Sequence, residues 1–233
     1  MNPISRTSTR AGRLWSAAGW TLMLVGALGA AANAVTFLWI ESYGHPDIKA
    51  RFLGTALAGF AHALGGAVAV VLGPLQFLSI IRRRAPRVHV WIGRTYLAAV
   101  LAGALGGLYF APTSVAGPAG TVGFTCLAVF WLYSGSLAYL EIRRGHIDAH
   151  RRWMIRNYAL TFAAVTLRIE LPLLLMSGVV FPTALMIVSW LCWVPNWCVV
   201  EGWLRFRGAR RQTVADVGLA GAPALDSRAP AEP

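Results

Sequence analysis

Charge is scarce in this chain. Asp, Glu, Lys and Arg make up 13% of its residues against 57% hydrophobic, and the mean hydropathy is +0.57. That balance excludes an ordinary soluble domain and fits a multi-spanning membrane protein. Cysteine is scarcer still. Cys126, Cys192 and Cys198 are the only three, all in apolar segments. An odd number in hydrocarbon rules out a disulfide framework and predicts inert, buried thiols. No glycine loop lies between a strand and a helix to cradle a phosphate, and no nucleophile stands beside a base, so soluble-enzyme chemistry is not expected. Acidic residues number nine against 21 basic ones, a net charge of +12. Such an excess invites a nucleic-acid partner, but the arginines lie in short clusters between apolar runs, which is a topogenic pattern. No nucleic acid is expected, and the bilayer is the principal partner.

Six apolar runs use up the chain as one all-α bundle of six transmembrane helices, residues 14–204. Residues 1–13 form a short basic leader, and residues 205–233 a basic, then Ala/Pro/Gly-rich tail expected to be disordered. Helix one runs from about Leu14 to Ile40. Its GAAANA stretch resembles a signal-peptide end, but the apolar run continues through Val35 to Ile40, so it reads as an uncleaved anchor. A linker over 41–51 with a turn at His45-Pro46 precedes helix two, about Leu53 to Ile80. Helices three, four, five and six follow at about 91–111, 120–142, 150–172 and 183–204. The N-terminus, the loops after helices two and four, and the C-terminal tail are arginine-rich. The loops after helices three and five carry no charge. The positive-inside rule then places both termini in the cytoplasm.

Helix five, HRRWMIRNYALTFAAVTLRIELP, carries Arg156, Asn157, Arg168 and Glu170 at or near hydrocarbon depth. An ionisable group there costs at least ~2.5–3.5 kcal/mol on insertion scales, so it must face protein or water. At about 100° per residue, His150, Asn157, Thr161 and Arg168 share one stripe, which other helices must cover. On helix two, His62, Gly65, Gly66, Ala69, Gly73 and Gln76 share a face whose small residues allow close backbone approach. Pro74 is expected to bend its lower part. An internal echo links the two basic loops. His89, Trp91, Arg94 and Tyr96 are matched by His150, Trp153, Arg156 and Tyr158, with equal Trp–Arg and Trp–Tyr spacings. Helices two–three and four–five therefore read as two related central hairpins.

His62 followed by LGPLQF, then HVWIGRTY, then HRRWMIRNYALTFAAVTLR resembles the bacterial predicted membrane proteins called domain of unknown function twenty-three-oh-six, over about helices two to five. The resemblance implies an integral protein of the bacterial plasma (inner) membrane and brings no established activity. The layout is similar, more distantly and in architecture only, to six-helix transmembrane b-type cytochromes, in which core histidines ligate haem.

Three candidate sites follow. His89 and His150 could ligate haem b axially, with Arg94 and Arg156 meeting its propionates. The departures are that helix four has no histidine to partner His62, and that both imidazoles lie at the membrane edge. His146 and His150 at i, i+4, with Asp148 or His89, could instead hold a divalent metal. At the outer end, His62, Arg168, Glu170 and Asn33 fall at one depth and could bind a quinone or a small anionic ligand. The structural alternatives are interfacial anchoring of the histidines, and neutralisation of Arg168 by Glu170 or by backbone carbonyls. A haem-binding redox protein, a cofactor-free permease or ligand-binding protein, and a non-catalytic scaffold all fit these residues. Glu201 is expected to pair with Arg156 or Arg205.

Overall fold

In the computed structural model, residues 10–40 and 42–220 are described, with side chains over 17–40 and 42–208. Most of the expected N-terminal segment, Glu41 and residues 221–233 of the tail lie outside them. Among the described residues every regular element is helical, and six spans are long and apolar enough to cross a membrane. The protein is an integral, multi-pass membrane protein. Span one is α1 (Arg10–Trp39), span two α3 (Ala56–Gln76), span three α5 (Pro86–Phe110) and span four α6 (Gly117–Arg143). Span five is α7 (Ile147–Thr161) plus α8 (Ala163–Met176), and span six is α9 (Phe181–Leu191) plus α10 (Val194–Ala220). An even number of spans brings both chain ends to one face.

The linker after span one is not only a turn. It contains α2 (Pro46–Gly54), with Pro46 in its first turn, Asp47 beside it and Arg51 in the last turn. Proline is pre-set for a first turn, and both charges complement the helix dipole. Lys49, the chain's one lysine, is buried within α2 and donates to the carbonyls of Phe37 and Ile40. It thereby satisfies carbonyls that the end of α1 leaves open. A short α4 (Ser79–Arg84) takes up residues expected to end span two. Pro74 stays inside α3, which stops two residues later at Gln76.

Spans five and six were expected to be continuous, and both are interrupted. The break in span six precedes Pro195, which has no N–H to donate. The two interruptions are tied together. Thr166 Oγ1 donates to the Cys192 carbonyl at 2.5 Å, and Asn196 Nδ2 reaches Cys192 O at 2.9 Å and Ala159 O at 3.4 Å. Side chains thus replace backbone bonds that the breaks remove, as hydrocarbon requires. At the other end of span six the helix runs on to Ala220, beyond the expected boundary at Leu204.

The tightest seams are α3 on α5 and α6 on α7, the two hairpins marked by the echo. Their repeated residues play matching parts. Arg94 lies over the Trp91 ring and Arg156 over Trp153, while Tyr96 and Tyr158 are both buried. The small residues of α3 let its neighbours come close: Ala69 is fully buried, Gly65 meets Ala99 and Gly103 of α5, and Gly73 lies against the Tyr158 ring of α7. A Cβ on Gly65 would come within 2.7 Å of Ala99 O, whereas one on Gly66 would meet nothing within 4 Å. Of the cysteines, Cys192 is buried as expected, but Cys126 is only partly so and Cys198 is exposed; all three thiols are free.

Gly65→Val is therefore expected to destabilise the protein by ~1–3 kcal/mol through overpacking. The adjacent Gly66→Ala should cost nothing. Unfolding by SDS in mixed micelles measures both.

Candidate functional site

A cavity of about 480 Å³ opens within the bundle, and all six spans contribute to its wall. Its closed end is a buried polar knot. Tyr96 of α5 donates to Asn157 Oδ1 at 2.6 Å and lies 2.7 Å from Thr161 Oγ1. Trp131 Nε1 of α6 donates to the same hydroxyl at 2.8 Å. Asn157 Nδ2 donates to Trp131 O at 2.7 Å and to Ser134 Oγ at 2.9 Å. Asn157 is fully buried with its amide satisfied, so the knot is structural and seals the floor. Trp131 and Thr161 are where this floor meets the cavity.

A polar ring sits nearer the other end. His62 Nδ1 donates to Gly103 O at 2.8 Å, across the α3–α5 seam, and its Nε2 has no hydrogen bond among the described residues. Arg168 of α8 donates through Nε to Asn33 Oδ1 at 2.8 Å and through Nη1 to Ala164 O at 2.7 Å. Asn33 Nδ2 donates in turn to Tyr43 Oη. His62, Asn33 and Arg168 all line the cavity, as three of the four residues expected at this depth. Glu170 does not. Its Oε2 is buried without a partner, and it makes no ion pair with Arg168. Among the described residues no carboxylate neutralises Arg168 at all; its acceptors are an amide and a carbonyl.

Above the ring the wall turns aromatic. Phe52 stacks on Phe110 at 4.4 Å between centroids and meets Phe37 edge-on at 5.2 Å. The rim includes exposed Arg51 of α2 and exposed Thr113. Sequence reasoning missed the part played by α2. Its signal was present in Pro46, Asp47 and Arg51, the markers of a short helix.

At the other end of the bundle the expected metal set does not assemble, and the arginines of the expected haem set have other partners. His150 Nδ1 donates to Ala138 O at 2.7 Å, His89 Nδ1 is buried without a partner, and neither ring lines the cavity. Arg156 is taken by Glu201, through Nε at 2.8 Å and Nη2 at 3.2 Å, and Arg205 joins the same carboxylate at 3.3 Å. Arg94 is laid over Trp91. Both arginines of the expected haem set are thus engaged within the protein, and haem binding finds no support in these contacts. His146 binds Glu141 Oε2 at 2.8 Å instead of sharing a ligand with His150, and Asp148 is exposed in the first turn of α7. Among the described residues no three His, Cys, Asp or Glu side chains form a metal-holding group.

Comparison with known families places these features in context. Residues 59–204, more than half of the chain, match the family described as Predicted membrane protein (DUF2306). The chain belongs to this family. No curated protein and no solved structure matches it. The DUF2306 region contains His62, the sealed floor and Arg168, while Asn33, Lys49 and Arg51 come from α1 and α2, ahead of it.

The wall suggests a trade of stability for function at Arg168. Removing an uncompensated intramembrane charge gains roughly 2.5–3.5 kcal/mol on insertion scales. Losing its bond to Asn33 gives back ~1–3 kcal/mol. Arg168→Leu should accordingly fold and melt at or above the wild-type temperature in detergent. A marked loss of stability would make Arg168 interhelical glue.

Proposed function

We propose that the protein is a cofactor-free ligand-binding membrane protein of the permease type, and that its ligand is a small molecule carrying an acidic or strongly hydrogen-bonding head. The observation that carries this reading is Arg168, a charged side chain on the wall of an intramembrane cavity whose partners among the described residues are all neutral. An arginine kept only for packing would be matched by a carboxylate or turned to the interface. His62 supports the same reading with a ring nitrogen that has no hydrogen bond among the described residues. The cavity volume of about 480 Å³ falls within the range of small-molecule sites, whose walls are mainly apolar with a few placed polar groups. Because the floor is a satisfied hydrogen-bonded knot, the arrangement is that of a one-sided binding state. Passage across the membrane would need the knot to open.

We further propose that both termini face the cytoplasm of a bacterial inner membrane, which puts the cavity rim on the outer side. The support is the arginine distribution, with Arg82, Arg83, Arg84, Arg87, Arg143, Arg144, Arg151 and Arg152 all at the end of the bundle opposite the cavity.

Native mass spectrometry of protein released gently from membranes tests the cavity. Wild type is expected to carry a small-molecule adduct that Ala67→Trp, which fills the chamber, and Arg168→Leu both lack. Adduct-free wild-type protein that is folded and monodisperse would overturn the reading. A reporter fused after Pro233 tests orientation: green fluorescent protein should fluoresce there, and alkaline phosphatase should be inactive.

A further inference from the structure

We propose that the ligand is an amphiphilic monocarboxylate, its carboxylate on Arg168 and its apolar body in the chamber between the polar ring and Trp131. This rests on the cavity reading above and adds the chemical class of the occupant.

Three features of the wall argue for it. The first is charge. Arg168 and Arg51 line the cavity and, among the described residues, no aspartate or glutamate does: Asp47 is turned to His45 at 3.8 Å and Glu170 stands off the wall. A neutral occupant would leave Arg168 uncompensated, whereas an anion completes it. The second is donor geometry. A guanidinium has five N–H groups. Asn33 and the Ala164 carbonyl take one on Nε and one on Nη1. Nη2 and the second Nη1 hydrogen have no acceptor among the described residues, and they are left for anionic oxygens such as those of a carboxylate. The third is what lies below. From His62 to Val70 the chamber runs roughly 12 Å along α3, at about 1.5 Å per residue. Its walls there are Ala30, Val70, Leu127, Ala128 and Trp131. The hydroxyl of Thr161 at the floor is already bonded within the knot. Such walls favour methylene or aromatic groups and have nothing for a second charge. The volume equals that of roughly sixteen waters in the liquid, which sets the scale of the ligand.

Inorganic phosphate fits poorly, because its remaining oxygens would face alanine and phenylalanine. A quinone matches the chamber but not the charge. Arg51 has a different part. It is exposed at the rim and therefore solvated, so it draws anions toward the mouth without holding them.

The test is titration calorimetry on the full-length protein in nanodiscs, corrected for empty nanodiscs. The probes are decanoate, decanol, inorganic phosphate and a short-tailed ubiquinone. Decanoate is expected to bind saturably, one per protein and at least tenfold tighter than the other three. Arg168→Gln should weaken it at least tenfold with the fold retained. Arg51→Gln should weaken it only a few-fold and flatten its salt dependence. A chain-end bromodecanoate should quench part of the tryptophan emission in wild type and not in Ala67→Trp, reporting a tail in the chamber. Equal binding of decanol, or tighter binding of the quinone, would overturn the carboxylate assignment while leaving the cavity as a ligand site. Phosphate binding as tightly as decanoate would overturn the amphiphile. If no probe binds and the native protein carries no adduct, the cavity reading fails with it.

Discussion

Hydrocarbon supplies no hydrogen bonds, and that one constraint organises this bundle. Span five carries more polar groups than any neighbour, and each had to be turned toward protein. Asn157 and Thr161 are consumed by Tyr96, Trp131 and Ser134. His150 meets the Ala138 carbonyl, and Arg156 meets Glu201. These contacts pull α5, α6 and α10 around α7, and the same demand ties the broken spans together through Thr166 and Asn196. Arg168 alone among the arginines of the spans meets this demand with neutral groups at cavity depth. The cavity is what remains where the polar stripe runs out of partners.

The cavity also depends on how small residues are distributed along α3 and α5. Towards Gln76, Ala69 and Gly73 let α3 close against its neighbours. Nearer Ala56, Gly65 closes one side while Gly66 and Ala67 on the other side leave the chamber open. One helix therefore provides both a tight seam and a cavity wall, according to which side of the helix its glycine or alanine occupies. The lid is added by α2, pinned when Lys49 caps the end of α1. The chain's one lysine is buried there as a helix cap.

Much of the site was legible beforehand because it follows from burial cost. His62, Asn33 and Arg168 could be placed at one depth by counting residues along helices, since 1.5 Å of rise is common to all of them. The same count placed Glu170 with them, wrongly for the wall, because depth does not say which way a side chain faces once α7 and α8 are offset at Phe162. The haem and metal sets found no support for a related reason. His146 is engaged by Glu141 and Arg156 by Glu201, partners that periodicity does not show. The nine-residue α2 was missed because so short an element is written in capping residues, not in hydrophobic period.

Composition and spacing by themselves determined that this is a six-span helical membrane protein, that two hairpins echo one another, and that span five must face inward. Each of these follows from transfer free energy summed over many residues, which is insensitive to detail. Only the tertiary structure decided that Tyr96 and Trp131 close the floor, that Arg156 is spent on Glu201, and that Arg168 is left over a cavity without a carboxylate. Those outcomes turn on single hydrogen bonds between helices far apart in the chain, and a side chain's partner there is chosen by packing geometry that no local pattern encodes.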